Sequence, residues 1–180
     1  MGLLARSSPL VRGVAAYAVI WPVSSLCQQL IAGAERVDCA QAARFALYGS
    51  CFVAPSLQAW LSFAQRAWPG RSWRATLTKV LLEQVTYTPF AIASFYCGMT
   101  LLEGQGWDAA VSEVRAKFLP TYKVGALVWP AVQVFNYSAV PERNRVPFVS
   151  VCSLLWACFL AHMKQAEARR LARPPVVSPP

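Results

Sequence analysis

A chain of 180 residues is ordinarily one domain, yet 56% hydrophobic residues and a mean hydropathy of +0.38 lie above the usual range for a soluble one. Charged residues are only 14% of the chain and are clustered, leaving long intervals with none. The net charge of +9 sits at the ends of those intervals, where Lys and Arg snorkel to headgroups, so nucleic acid is not an expected partner.

Residues 1–12 form a basic flank with Arg6 and Arg12 and no acid before Glu35, which faintly resembles a mitochondrial targeting flank. Charge-free intervals then follow between Arg12 and Glu35, Arg44 and Arg66, Glu83 and Glu103, Lys123 and Glu142, and Arg145 and Lys164. Each is about the length that crosses ~30 Å of hydrocarbon as helix. The last two are marginal, separated only by Pro141 to Arg145. The fold class is therefore all-α: a multi-pass transmembrane helix bundle over residues 13–163, with four spans or five. Four spans place 12 Lys and Arg on one side and 5 on the other, five spans 8 and 9, so the asymmetry favours four, with both termini on one side.

Between the third and fourth intervals, Trp107, Ala110, Val111, Val114 and Phe118 share one stripe at helical spacing, which predicts a short interfacial helix over 107–119. Trp68, Trp73 and Trp107 suit an aromatic belt at headgroup level. Residues 164–180 read as a basic, proline-rich disordered tail.

Pro22, Pro55, Pro89 and Pro130 each fall inside one of the first four intervals. A proline inside a helix removes a hydrogen bond and frees a carbonyl that lipid cannot satisfy, so kinked helices packed around polar partners are expected. Gln28, Gln84, Gln133 and Asn136 lie in the same intervals and are candidates for a polar path; the blander reading makes them interhelical glue. Gln133 and Asn136, three apart, share a helix face. Glu83 opens the third interval and reads as an interfacial carboxylate paired with Lys79 four residues earlier, or as a buried functional acid. Ala42, Ala46, Ser50 and Ala54, and then Ser94 and Gly98, recur every fourth residue, a spacing that lets membrane helices approach closely.

No enzyme is expected: neither paired carboxylates in a span nor GxSxG, phosphate-loop or HExxH motifs occur, and the lone His162 reads as an interfacial tip. Cys27, Cys39, Cys51, Cys97, Cys152 and Cys158 show no ligand spacing, so no metal or cofactor is implied, and most read as small packers.

The run from Trp129 and Pro130 through Gln133, Asn136, Tyr137, Val140 and Pro141 to Arg145 resembles the signature W-P-x-x-Q-x-x-N-[FY]-x-x-V-P-x-x-x-R of the Mpv-seventeen family of peroxisomal and mitochondrial membrane proteins. Gly49, Pro55, Trp60, Pro69-Gly70, Gln84 and Pro89 add matches, and Phe95 to Met99 resembles the Mpv-seventeen-like branch in particular. The resemblance implies a four-span protein of the mitochondrial inner or peroxisomal membrane, linked to reactive oxygen species metabolism and mitochondrial DNA maintenance, some members being weakly selective pores. This chain departs from the pattern in having Ser24-Ser25 where Gly-Asp is common and Glu83-Gln84 where Asp-Gln is common. The combined expectation is a bundle that passes or regulates small solutes, with the lipid bilayer and a second copy of the chain as partners. The alternative is a non-transporting scaffold that docks a protein partner at the membrane.

Overall fold

The computed structural model describes residues 8–171, with side chains through residue 158. Every regular element is helical among these residues. They are α1 (Pro9–Ile31), α2 (Cys39–Tyr48), α3 (Ala54–Ala67), α4 (Trp73–Val85), α5 (Tyr87–Leu102), α6 (Trp107–Ala139) and α7 (Arg145–Leu171). A π-helical turn (Gly49–Val53) joins α2 to α3, and a 3-10 turn (Glu142–Asn144) leads into α7. The chain thus runs as five rods: α1, α2–α3, α4–α5, α6 and α7.

Local chemistry starts and stops these rods. Ser8, Asp38 and Ser72 each accept a hydrogen bond from the backbone N–H three residues on, satisfying an orphan donor of α1, α2 and α4. Two rods end alike: Gly33 at φ 77° and Gly104 at φ 79° take the left-handed conformation, and Ala34 and Gln105 donate back to Gln29 and Thr100. That double reversal suits glycine and closes the helix carbonyls.

The prolines divide into two classes. Pro22 and Pro130 lie inside continuous helices, as does Pro120. Pro55 instead is the second residue of α3, just past the π-helical turn, where Ala54 N–H reaches Gly49 O; widening the helix there relieves the proline ring. Pro89 lies in the first turn of α5, after a break at Thr86 (φ −120°, ψ −70°), where a missing N–H costs nothing.

Consecutive rods run antiparallel. Gln29 bonds both backbone groups of Asp38, tying α1 to α2. Trp60 meets Glu83, Tyr96 meets Thr121, and Phe135 packs on Phe148. The first and last rods run parallel: Arg12 donates to Asn144 at 2.7 Å, and a Cβ on Gly13 would stand 2.7 Å from Val146 Cγ1. The last of the marginal intervals, which opens at Val146, packs along α1. The expected interfacial helix over 107–119 is not separate. It is the opening part of the 33-residue α6, about 50 Å long, which continues through both Pro120 and Pro130.

Among the described residues two stretches, Pro9–Ile31 and Trp73–Leu102, are long and apolar enough to cross a membrane. Large apolar side chains stand on the outside, and the interior combines an apolar cluster that includes Tyr17, Leu57, Leu61, Val80 and Val149 with a set of buried polar groups. Leu127 (82% exposed), Val85, Leu81 and Val19 face outward, while Thr76, Lys79, Glu83, Gln133, Asn136, Arg145 and Ser150 are buried. Exposed apolar side chains of this kind suit contact with lipid. Trp73 and Trp107 are exposed at opposite ends of the bundle. The flank before residue 8, the His162 side chain and residues 172–180 fall outside the described part; α7 itself continues to Leu171, into the segment read as tail.

Candidate functional site

The polar interior is organised around Glu83. Its carboxylate, 4% exposed, accepts from Trp60 Nε1 and from the Tyr137 hydroxyl, both at 3.0 Å on Oε2, and from the Gln133 amide on Oε1. Asn136 Nδ2 in turn donates to Gln133 Oε1 at 2.8 Å. Three rods therefore supply donors or acceptor to one carboxylate. A carboxylate in this interior is tolerated because charge-assisted hydrogen bonds replace its water.

The expected Lys79–Glu83 ion pair is absent. Lys79, 0% exposed, turns away and donates to Gln65 Oε1 at 3.1 Å and Gly70 O at 3.0 Å. Arg145, 2% exposed, donates to the same Gln65 oxygen at 3.1 Å and to Tyr137 O at 3.3 Å. The Tyr137 ring separates the two charges of α4: Lys79 Nζ lies 5.0 Å from its centroid and Arg145 Cζ 5.4 Å, a cation–π arrangement, while its hydroxyl reaches Glu83. Sequence reading passed over both as buried groups because Arg145 bounds a charge-free interval and Lys79 lies in the charged stretch between two of them.

A cavity of about 670 Å³ opens beside this network. Glu83 and Gln133 line its inner end, Trp21, Phe45 and Phe95 its middle, and Gln28, Gln41, Glu103, Glu113 and Lys117 its outer end, where Glu103 and Lys117 are exposed. Lys117 and Gln133 are 16 residues apart on α6, so the cavity spans about 24 Å of helix. One turn beyond Gln133 the interior closes at the fully buried Tyr137.

The four amide candidates separate accordingly. Gln28 and Gln133 line the cavity, and Gln28 also bonds buried Ser24. Gln84 and Asn136 are buried away from it; Gln84 O accepts from the Tyr122 hydroxyl at 3.0 Å. Of the motif residues, Trp129 lines the cavity, Gln133, Asn136, Tyr137 and Arg145 build the network, and Val140 O receives Arg71 at 3.2 Å. Pro130 and Pro141 shape the helix and its exit. The small residues at 94 and 98 accommodate a side chain: the Tyr48 ring covers Gly98, where a Cβ would stand 2.6 Å from it, and its hydroxyl donates to Ser94 at 3.1 Å.

Residues 100–161, which carry this motif, match the model of the Mpv17 / PMP22 family. The chain is 31% identical over 164 residues to an Mpv17-like protein of Xenopus laevis, covering 90% of this chain and 80% of that one. It is 35% identical over 157 residues to an Mpv17-like protein of Bos taurus, covering 87% and 79%. Against Protein sym1 of Aspergillus oryzae the figure is 32% over 167 residues, covering 91% and 95%. No solved structure matches the chain. Identity at this level along nearly the whole length, together with the motif that encloses Glu83, makes this chain a member of the Mpv17 / PMP22 family.

Proposed function

We propose that the protein is a polytopic organelle-membrane bundle that passes or regulates small solutes, using the cavity between its rods as the path. The observation that carries this reading is the 670 Å³ cavity, which reaches from exposed Glu103 and Lys117 to Glu83 and Gln133 inside a bundle with an apolar exterior. A polar-ended interior space of this size suits a solute of metabolite dimensions. Tyr137, with Lys79 and Arg145 behind it, forms the floor, and a solute crosses when that floor yields. All five rods cross the bilayer in this reading, which places the two termini on opposite sides. The family resemblance directs the search for its membrane to the mitochondrial inner membrane and the peroxisome, and for its role to reactive oxygen species metabolism and mitochondrial DNA maintenance.

Purified protein in planar bilayers or liposomes tests the proposal. Solute flux is expected, and Gln133→Leu with Asn136→Leu is expected to change it, since these replace one cavity-lining amide and its support. Vesicles that remain tight to small solutes at all potentials overturn the passage reading.

A further inference from the structure

The charge of the cavity is opposite in sign to that of the chain. The protein carries +9, yet the charged side chains lining this space are Glu83, Glu103, Glu113 and Lys117. Lys117 is already paired with Glu113. Seventeen Lys and Arg against eight acids would ordinarily place positive charge at any given opening, so this excess of carboxylates marks a selective field.

The inner end adds a second observation. Glu83 has no cation within ion-pair distance among the described residues, because Lys79 is held by Gln65 and Gly70 on the far side of the Tyr137 ring. Two donors fill its Oε2, while Oε1 carries only Gln133, so Oε1 retains accepting capacity at the cavity surface. The wall between mouth and floor is aromatic. Trp21, Phe45, Tyr48 and Phe95 form one contiguous group with ring centroids 5.9–6.2 Å apart, and Tyr87 and Trp129 line the cavity nearer the floor.

A deep unpaired carboxylate beneath an aromatic wall recognises one class of molecule well: an ammonium on an apolar body. The carboxylate takes its N–H, the rings take its charge and its hydrocarbon, and an anion is repelled. A bare divalent metal fits poorly, since no group of three metal-ligating side chains occurs among the described residues. We infer that the cavity is a binding site for small organic cations, with Glu83 as the anchoring anion and exposed Glu103 as the attracting charge at the rim. The inference rests on the reading of the cavity as solute-accessible.

Calorimetric titration of the full-length protein in phosphatidylcholine nanodiscs with phenethylammonium, its neutral analogue 2-phenylethanol and anionic 3-phenylpropionate tests this without any mutation. The ammonium is expected to bind at least about ten-fold more tightly than the alcohol, and the anion weakest. Equal affinity for ammonium and alcohol, or preference for the anion, overturns the inference. Glu83→Gln is expected to remove the ammonium preference while sparing alcohol binding; an unchanged preference assigns the charge recognition elsewhere and overturns the role of Glu83. Glu103→Gln, at the exposed rim, is expected to lower ammonium affinity about two-fold at low salt and less at high salt; no change at low salt overturns the attracting rim. Liposomes that release neutral polyols but show no cation preference refute the cation site and leave the passage standing. Cation binding in liposomes that release nothing does the reverse.

Discussion

Tyr137 donates its hydroxyl to Glu83 Oε2 at 3.0 Å, and the two residues lie 54 positions apart on different rods. The bond fastens α6 to α4 at the cavity floor, and the tyrosine ring keeps Lys79 from the carboxylate it would otherwise meet. Tyr137→Phe keeps the ring and deletes the bond. It is expected to destabilise the protein by about 1–3 kcal/mol, the range for a buried charged acceptor losing one donor. Thermal unfolding in detergent reads this directly, and an unchanged midpoint refutes the bond's role.

Gln65 gives a prediction with opposite signs for two substitutions. Its Oε1 accepts from both Lys79 and Arg145, two buried cations with a single neutral acceptor between them. Gln65→Leu leaves both short of a partner and is expected to cost about 3 kcal/mol or more. Gln65→Glu places a carboxylate between them and is expected to raise the thermal midpoint. A drop with both variants shows that the cations are neutralised by another route.

Gly13 marks the closest approach of α1 to α7. Gly13→Ala brings a methyl within 2.7 Å of Val146 Cγ1 and is expected to destabilise by about 1–3 kcal/mol. Val146→Ala alone costs the lost methyl groups, yet in the Gly13→Ala background it removes the clash. The double-mutant cycle should therefore show a favourable coupling of about 1 kcal/mol. Additive effects place the two residues out of contact.

Five rods that all cross put the ends of the chain on opposite sides of the membrane. Protease protection of tags at each terminus in intact organelles is expected to expose one and shield the other. Tags protected together return the count to four crossings.

Much of this architecture is legible in the residues, and what is not has a physical cause. Each charge-free interval maps onto one of the five rods, the first and fourth overrunning its end by two or three residues, and the spacing of Gln133 and Asn136 foretells their hydrogen bond at 2.8 Å. The intervals mislead where a helix runs past a charge. α4 begins at Trp73, ten residues before Glu83, so of the two readings of this acid, interfacial carboxylate and buried group, the second holds: it lies inside a rod. Nothing local announces this, because what allows it is Trp60, Gln133 and Tyr137, contributed from 23, 50 and 54 residues away. Lys79 and Glu83 have the i,i+4 spacing of a pair, but an aromatic ring from another rod occupies the gap. A Lys and Arg count treats every cation as a loop marker, whereas Lys79 and Arg145 are interior.

The parallel placement of the first and last rods bears on how the molecule is made. α1 is synthesised first, but the face around Gly13 and Arg12 receives its partner only when Val146 and Asn144 arrive, 132 residues later for the arginine. Until then α1 holds a glycine-floored groove and an arginine without its asparagine, while the four earlier rods wait unsealed. The last helix acts as the closing stave of the barrel. A chain cut short before Arg145 loses that stave together with the cation beneath Tyr137, so it leaves both the flank and the floor of the cavity open at once.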